Sequence, residues 1–304
     1  MISVVIPVYN EQDLIDSLYQ RVSTAVKEIN EDFEIICVDD GSTDTSLEKM
    51  LKIHEADKRF KVLTLSRNFG HQAAYTAGLN YAKGDHVVMM DGDLQDPPEM
   101  IKEMYAKATN EGIDVVFGKR TGRKEGPVRR MLFSSFHRVF SRMSSINAPA
   151  NVGNFSILSR RAVNELIKLS EKTRYLPGLR YFIGFKQGYV EYKRPDRESG
   201  QAKMSTSNLM RLALDAIFSF SNIPIKFCLY IGMLGIIVFF SAGVFSLTHK
   251  IIGLASPGWS STLLSIYFLG SVQLLFLGVI GEYVYRIYKE SQNRPIYIVS
   301  EFHD

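Results

Sequence analysis

Short apolar runs alternate with segments of helical periodicity over the first 118 residues of the chain. The apolar runs, which we predict to be strands, cover residues 2–7, 33–39, 61–66, 85–90 and 113–118. The segments with helical spacing cover residues 13–29, 46–56, 73–82 and 97–109. Nearly all-apolar strands that alternate with helices are typical of a mostly parallel sheet covered on both faces. The pattern therefore predicts an α/β domain.

The apolar pattern changes near the carboxyl end of the chain. No charged residue occurs between Lys226 and His249, or between Lys250 and Glu282. About 20 apolar residues cross a bilayer as a helix, so we predict transmembrane helices at about 227–248 and 262–283, with GLASPGWSS as the break between them. The alternative is a buried hairpin of a soluble protein, although such helices rarely run this long without a charge.

Two amphipathic segments flank or precede these spans. Residues 126–146 place arginines among large apolar side chains, which favours a helix in the membrane interface or an ordinary helix packed on its own domain. Residues 206–225 run directly into the first span and are predicted to lie at the membrane surface. The predicted organisation is a domain over 1–205, a juxtamembrane segment over 206–225, a two-helix hairpin over 226–286 and a tail over 287–304.

Charge predicts the orientation of the hairpin and limits the class of partner. Positive residues flank its two outer ends, whereas the connecting loop offers only Lys250, so the domain and both termini are expected in the cytoplasm. The net charge of +4 suits an anionic membrane surface, and its spread over the juxtamembrane segments does not suggest nucleic acid. Two cysteines, Cys37 and Cys228, are too few for a disulfide or metal framework.

Polar side chains follow each of the five predicted strands. Ligands of open α/β sheets bind beyond the carboxyl ends of the strands, so these side chains are candidate ligands. They are Tyr9, Asn10 and Glu11; Asp39 and Asp40; Arg67 and Asn68; Asp91 and Asp93; and Lys119 and Arg120. The first turn, PVYNEQD, has no glycine, which excludes the glycine-rich phosphate turn of dinucleotide folds. Another device must bind phosphate.

The sequence MMDGDLQDPP supplies a candidate for that device. Asp91 and Asp93 lie two residues apart at the end of a hydrophobic strand. Mg²⁺ or Mn²⁺ prefers oxygen ligands and commonly takes one or two carboxylates together with substrate phosphates. A solvated turn is the alternative for an isolated Asp-x-Asp sequence, but the polar strand ends beside it favour a metal site.

The motifs IPVYNE, VDDGSTD, LSRNFGHQAA and DGDLQDPPE resemble those of family 2 nucleotide-sugar glycosyltransferases. With two C-terminal spans, the resemblance narrows to the polyprenyl-phosphate glycosyltransferases, which include dolichol-phosphate mannose synthases and bacterial enzymes that load glucose or another sugar onto undecaprenyl phosphate. The resemblance implies a metal-dependent fold of the GT-A type and a UDP-sugar donor, with UDP-glucose as the first choice. The acceptor would be a polyprenyl phosphate, and the transfer would invert the anomeric centre. The resemblance also implies residence in the inner or plasma membrane, and a homotetramer.

The resemblance also implies roles for individual residues. The donor would contact Pro7, Tyr9, Glu11, Asp39, Asp40, Arg67, Asp91 and Gln95. The metal would bind Asp91 and Asp93, and the acceptor phosphate would meet Arg120, Arg129, Arg197 and Lys203. The catalytic set would be Asp91, Asp93, Arg120 and Asn154. His71 is expected either to touch the donor or to serve as a helix cap or packing partner.

The chain departs from the family pattern at two positions. Ala202 replaces the serine of the family's Arg-x-x-Gly-x-Ser-Lys segment, which removes one hydroxyl from a phosphate-binding loop. Asn154 stands where relatives often carry an aspartate, and asparagine cannot accept a proton. The acceptor phosphate has a second pKa of about 6 and needs no general base, so Asn154 is expected to position the acceptor.

Two other functions remain open from the sequence. A processive membrane polysaccharide synthase would usually have more spans and a Gln-x-x-Arg-Trp motif, whereas the single tryptophan, Trp259, lies between the spans. A membrane-anchored scaffold that binds nucleotide without turnover would not need the acids that this chain retains.

Overall fold

The computed structural model describes residues 1–30, 32–121, 152–172, 174–193, 223–252 and 258–304. These residues fall into two compact units. The first, here the α/β unit, holds the described residues through 193 together with Pro295–Asp304. The second, here the helical unit, holds those from 223 to Arg294.

In its described residues the α/β unit alternates strands and helices, and this confirms the predicted fold class. In chain order they are β1 (Ile2–Val8), α1 (Ile15–Lys27), β2 (Phe33–Asp39), α2 (Ser46–Ala56), β3 (Phe60–Leu65), α3 (His71–Tyr81), β4 (His86–Met89), a 3₁₀ turn (Pro98–Met100), α4 (Ile101–Glu111), β5 (Val115–Thr121), β6 (Val152–Ser159), α5 (Arg160–Lys168), α6 (Leu176–Phe182), β7 (Gln187–Lys193) and β8 (Val299–His303).

The strands form one mixed sheet in the order β7-β5-β6-β4-β1-β2-β3-β8. The four strands β4, β1, β2 and β3 are parallel, as predicted. Strand β6 runs antiparallel to both β4 and β5, while β7 is parallel to β5. All seven residues of β1 and all seven of β2 are buried, as central strands covered on both faces require.

The predicted C-terminal tail is not a simple tail. Strand β8 pairs antiparallel with β3 and forms one edge of the sheet. The sequence pattern does not indicate this strand, because an edge strand has an exposed face and an unpaired edge and therefore lacks the continuous apolar run of a central strand. The chain thus returns to the α/β unit after the helical unit.

Glycine allows α3 to pack closely on the sheet. A Cβ atom at Gly78 would lie 2.3 Å from Val5 Cγ1 and 3.0 Å from Val38 Cγ2. Real Cβ atoms do not approach side chains this closely, so the glycine sets the separation between helix and sheet. This packing fixes the position of the first turn of α3, which lies at the carboxyl edge of the sheet.

A buried ion pair joins the opposite edge of the sheet to the end of the chain. The Glu34 carboxylate accepts hydrogen bonds from Ser3 Oγ at 2.6 Å and from the Lys83 amide at 2.6 Å, and it lies 3.0 Å from Lys61 Nζ. Lys61 also contacts Asp304, which lies 3.0 Å from Lys83 Nζ. The last residue is thereby held against β3 and the start of β4.

The helical unit contains α7 (Ile223–Ile251) and α8 (Trp259–Ser291). A Cβ atom at Gly232 would lie 3.5 Å from the Phe276 ring, so the two helices touch there. Among the described residues, the segment Ser265–Ser291 is long and apolar enough to span a membrane, and Tyr230–Phe245 in α7 is a shorter apolar segment. The two-span hairpin therefore stays a prediction. The predicted amphipathic segments lie outside the described residues, except that 223–225 begin α7.

We predict that Glu34→Gln destabilises the α/β unit by about 2 kcal/mol, because it removes the more buried of the two carboxylates that pair with Lys61 and leaves only Asp304. Burial by itself would raise the pKa of Glu34, but hydrogen bonds from Ser3, Lys83 and Lys61 lower it below 4.5. The stabilisation is therefore present above pH 4.5 and is lost as the pH falls through the folded-state value. Thermal unfolding followed by circular dichroism at pH 7 and at lower pH measures both effects.

The matched control is Glu28→Gln. Glu28 lies 3.2 Å from Lys102, and both side chains are more than half exposed. We expect this variant to change the free energy of unfolding by less than about 1 kcal/mol at either pH. Equal losses from the two variants would contradict the assignment of the buried pair.

Candidate active site

Four of the predicted site segments reach the same edge of the sheet. Strands β1, β2 and β4 are parallel, and β5 shares their direction because β6 is antiparallel to both β4 and β5. Their carboxyl ends therefore lie along one rim. The structure carries Tyr9, Asp39, Asp91 and Arg120 to that rim, as the strand pattern predicted.

The acidic turn after β4 has a constrained backbone. A Cβ atom at Gly92 would lie 3.0 Å from the Pro7 carbonyl oxygen, so a side chain between the two aspartates would crowd the backbone of β1. Leu94 is buried and has a φ of 54°, in the left-handed region that bulky residues rarely adopt. Asp93 Oδ1 accepts a hydrogen bond from the Gln95 amide at 3.2 Å. Strained turns of this kind cluster at functional sites.

The Asp91 carboxylate is held by donors from two elements. Its Oδ1 accepts a hydrogen bond from Tyr75 Oη at 2.7 Å and lies 3.1 Å from His71 Nε2, both on α3. Asn154 Nδ2 on β6 approaches the same oxygen at 3.4 Å. Burial alone would raise the pKa of Asp91, but His71, Tyr75 and the charge of Arg120 hold it well below its usual range. Asp91 is therefore ionised at neutral pH.

His71 and Tyr75 work as a pair. They lie four residues apart, so both face the same side of α3, and their rings meet edge to face with centroids 4.9 Å apart. Burial by itself would lower the pKa of His71, but Asp91 raises it. The sequence left His71 as a donor contact or a cap, and the structure pairs it with Asp91. Tyr75 was not foreseen, although its spacing from His71 was a usable signal.

The two aspartates after β2 have different surroundings. Asp40 accepts hydrogen bonds from the amides of Phe69 at 2.7 Å and Gly70 at 2.9 Å, so it organises the loop that enters α3. Asp39 Oδ1 accepts from the Ser42 amide at 3.2 Å. Burial raises the pKa of both carboxyl groups. The structure gives Asp40 a role in loop geometry that the sequence did not indicate, and donor contacts by either residue stay predictions.

The remaining donor-binding candidates occupy different positions around this rim. Pro7 is buried within β1, whereas Tyr9 is 40% exposed. Glu11 is partly buried in the turn after β1. Arg67 is exposed and its guanidinium lies 4.2 Å from the centre of the Phe69 ring. The structure thus leaves Tyr9 and Arg67 accessible to a ligand and keeps Pro7 as part of the floor.

Arg120 is part of a buried polar cluster with Asp96 and Tyr192. Its Nη2 lies 3.2 Å from Asp96 Oδ1, and its Nε donates to Tyr192 Oη at 3.0 Å. Tyr192 Oη in turn donates to Asp96. Burial alone would lower the pKa of Arg120, but Asp96 and Tyr192 raise it, so the charge is retained. The sequence singled out neither partner.

A second buried arginine supports the segment that carries Asn154. Arg180 on α6 is fully buried and donates to the carbonyl oxygens of Gly153 and Asn154, each at 2.7 Å, and to Ser156 Oγ. Burial lowers its pKa to about 10, which still leaves it charged at neutral pH. Gly153 also borders Arg120, because a Cβ atom there would lie 2.8 Å from Arg120 Nη2. Arg180 had no signal in the sequence.

The oxygen atoms of this site fit a divalent cation. Asp91 and Asp93 supply carboxylates, and the buried Oδ1 of Asn154 has no hydrogen-bond partner among the described residues. Within the same residues, no group of three or more His, Cys, Asp and Glu side chains forms a complete metal cage. Mg²⁺ and Mn²⁺ suit such an incomplete oxygen site, since substrate phosphates complete their coordination.

Three predicted acceptor-phosphate residues cannot be placed in this geometry. Arg129, Arg197 and Lys203 lie outside the described residues, and so does Ala202. Their roles stay predictions from the family resemblance.

An α/β sheet that carries an Asp-x-Asp turn and buried arginines at its carboxyl edge defines a candidate glycosyltransferase. Residues 3–167 match the family described as Glycosyl transferase family 2. The chain belongs to this family, as the motifs predicted.

Curated relatives match almost the entire chain. The chain is 36% identical over 304 residues to the SfII prophage-derived bactoprenol glucosyl transferase of Shigella flexneri, covering 99% of this chain and 98% of the relative. It is 35% identical over 300 residues to the prophage bactoprenol glucosyl transferase homolog of Escherichia coli, covering 98% of each. It is 40% identical over 302 residues to the uncharacterized glycosyltransferase sll0501 of Synechocystis sp., covering 99% of this chain and 95% of the relative. These matches confirm the resemblance to the polyprenyl-phosphate glycosyltransferases.

We predict that Asn154→Asp destabilises the metal-free protein by about 2 kcal/mol, because it places a second carboxylate about 3.4 Å from Asp91 Oδ1. Protonation of one carboxylate relieves the repulsion, so the loss shrinks as the pH falls. Mn²⁺ should recover part of the loss at pH 7 by binding between the two acids. Thermal unfolding with and without Mn²⁺ measures each effect.

Asn164→Asp on the exposed side of α5 is the control for added charge. It should change stability by less than about 0.5 kcal/mol and give no response to Mn²⁺. An Asn154→Asp variant that matched this control would show that Asn154 and Asp91 do not interact.

Proposed function

We propose that this protein is a membrane-bound, inverting glycosyltransferase that moves glucose from UDP-glucose to undecaprenyl phosphate or another polyprenyl phosphate. The products are UDP and a polyprenyl phosphate sugar. The observation that carries the proposal is the meeting, at one edge of the sheet, of the Asp91–Asp93 turn with the largely buried cation Arg120. Similarity of 35–36% identity over nearly the whole chain to proteins named bactoprenol glucosyl transferases supports the choice of sugar and acceptor.

The donor half of the site is the acidic rim. Asp91 and Asp93 would hold Mg²⁺ or Mn²⁺, and such an ion, when bound, would neutralise the charge that develops on the diphosphate leaving group. His71 and Tyr75 fix the Asp91 carboxylate in its ionised form and in one orientation. Tyr9 and Asp39 are proposed to contact the nucleoside, since a buried carboxylate can accept a hydrogen bond from uracil N–H or a ribose hydroxyl.

The acceptor half of the site needs positioning more than proton transfer. A phosphate monoester with a second pKa of about 6 is already largely dianionic at pH 7. One of its oxygens attacks the anomeric carbon from the side opposite to UDP, the bond from that carbon to the diphosphate breaks with its electron pair, and the configuration inverts. Arg120 is proposed to align the phosphate, together with Arg129, Arg197 and Lys203. Asn154 has no group that accepts a proton, so its proposed role is to orient the acceptor phosphate.

Strand β8 supports the two-span arrangement. The chain leaves the α/β unit before α7 and returns to the same unit at Pro295. A chain that leaves one side of a membrane and returns to it crosses an even number of times. If Ser265–Ser291 spans the membrane, then α7 is the described helix that provides the second crossing. We propose a hairpin in the inner or plasma membrane, with the α/β unit and both termini in the cytoplasm, and a homotetramer as the family resemblance implies.

We predict that Asp93→Asn lowers glucosyl transfer at least about 100-fold, because loss of a metal ligand costs no less than loss of the groups that orient one. The assay uses purified protein with radiolabelled UDP-glucose, undecaprenyl phosphate and Mn²⁺, and follows label in the organic phase. UDP-glucose should raise the unfolding temperature more with Mn²⁺ than without it, and Asp93→Asn should remove that metal-dependent part.

Asp32→Asn, with a side chain 72% exposed at the opposite edge of the sheet, is the control and should retain full transfer. Label in insoluble material would indicate a polysaccharide synthase. Nucleotide binding by the wild type without transfer to either product would indicate a scaffold. A metal-dependent shift that survives in Asp93→Asn would reject the metal assignment.

We predict that a reporter fused after Gly258 and a reporter fused after Asp304 lie on opposite sides of the membrane. Alkaline phosphatase, which is active only outside the cytoplasm, should be active after Gly258 and inactive after Asp304. Green fluorescent protein after Asp304 should fluoresce. Active phosphatase at Asp304 would mean an odd number of crossings and would contradict the return of β8 to a cytoplasmic unit.

A further inference from the structure

The geometry points to Asp96 and Tyr192 as positioning residues that fix the guanidinium of Arg120 in the orientation required to bind the acceptor phosphate. This inference rests on the proposed function, in which Arg120 aligns that phosphate. Neither residue touches the reacting atoms in this arrangement. Their effect passes through Arg120, which they hold at two of its three nitrogen atoms.

Among the described residues, the contacts of Arg120 leave one side of its guanidinium without an acceptor. Nη2 of Arg120 is directed to Asp96 and Nε to Tyr192. No described residue accepts a hydrogen bond from Nη1. A guanidinium has five N–H donors in a rigid plane, so fixing two nitrogens fixes the direction of the third. A phosphate approaching that side would meet donors already in place, which lowers the ordering cost of binding.

The fold makes room for this arrangement. Arg120 and Tyr192 are paired residues on the parallel strands β5 and β7, so their side chains lie on the same face. Two residues earlier on β5, a Cβ atom at Gly118 would lie 2.9 Å from Tyr192 Cε1 and 2.7 Å from Phe155 Cδ1. The rings of Phe155 and Tyr192 meet edge to face at 5.6 Å. Tyr192 is thus packed on one side and hydrogen-bonded on the other.

Stability does not explain the cluster by itself. Asp96 is fully buried and the Arg120 side chain is only 14% exposed. A buried ion pair often gives no more stability than apolar residues of the same volume, because both charges lose their hydration. The Tyr192 hydroxyl donates to the same Asp96 carboxylate and accepts from Arg120 Nε, so it also fixes the orientation of the guanidinium. Such a cluster is better explained by the geometry that it imposes on Arg120 than by any gain in folding energy.

The position of the cluster connects it to the proposed reaction centre. Arg120 Nη2 lies against Gly153, whose neighbour Asn154 approaches Asp91. Asp96 follows the Asp91–Asp93 turn by three residues in the same loop. The acidic turn and the arginine are therefore tied together through Asp96, so that the donor and acceptor halves of the site share one rigid connection.

The first test compares steady-state kinetics of wild type, Tyr192→Phe and Asp96→Asn in the full-length protein. We expect Tyr192→Phe to raise the KM for undecaprenyl phosphate about tenfold, the effect of losing one hydrogen bond to a charged group. The KM for UDP-glucose should be unchanged. Tyr189→Phe removes a hydroxyl from the same strand, where its partner is Tyr181 at 3.4 Å, and is the control. A change in both KM values, or none in the acceptor KM, would overturn the inference.

The second test uses chemical rescue, which a purely structural role would not affect. Arg120→Ala should lose most of its transfer activity, and added guanidinium should restore a measurable part if Asp96 and Tyr192 hold the free ion in place. The same rescue in Arg120→Ala combined with Tyr192→Phe should be about tenfold weaker. Equal rescue in the two backgrounds would contradict the positioning role.

Failure of the proposed function would be recognised separately. If wild-type protein transfers sugar to no polyprenyl phosphate, the proposed function is wrong, and a crystal structure of Tyr192→Phe then decides the positioning role. An Arg120 side chain that turns away from its wild-type direction supports it, and one that stays in place overturns it. Because Tyr192→Phe keeps the packed ring, it also decides the question if Asp96→Asn does not fold.

Discussion

The site depends on keeping the Asp91 carboxylate charged although it is largely removed from water. Removing a carboxylate from water favours its neutral form, and here His71 and Tyr75 on α3 reverse that tendency. The position of α3 is therefore as important as the acid itself. Gly78 lets α3 approach the sheet, and Asp40 holds the loop before α3. Both residues thereby help to position α3, although they lie at a distance from the reaction centre.

Arg120 and Arg180 both carry a positive charge near this carboxylate, and they differ in kind. Arg120 has a carboxylate partner, and its charge is balanced within the cluster. Arg180 donates instead to backbone carbonyls and a hydroxyl, so its bonds fix the course of the Gly153–Asn154 segment. Arg180 holds the segment in which Asn154 stands beside Asp91. A second carboxylate would add repulsion, whereas the amide donates to the one already present.

The return of β8 to the sheet links the two units of the chain through topology. The C-terminal strand pairs with β3, and Asp304 contacts Lys61 and Lys83, so the residues that follow the helical unit belong to the α/β unit. This constraint does not depend on how apolar any single helix is. Under the proposed function, it would limit the membrane anchor to an even number of crossings.

The sequence by itself determined much of this protein. Central parallel strands are buried on both faces, so β1 to β4 appear as continuous apolar runs, and the acids that follow them reach one edge. The Asp91–Asp93 turn and the family were also evident, because both depend on residues close together in sequence. The sequence could not reveal β8, whose pairing with β3 joins residues more than 200 positions apart.

Only the tertiary structure decided which charges meet. Arg180 reaches Asn154 across 26 positions, and Tyr192 reaches Asp96 across 96. Neither contact has a periodicity or a local motif, since each depends on how β6 and β7 insert beside β5 and β4. The local sequence pattern indicates whether a residue is buried and which backbone conformation it adopts. The identity of its partner is set by the packing of the whole sheet, and therefore the mechanism's supporting contacts became visible only in the fold.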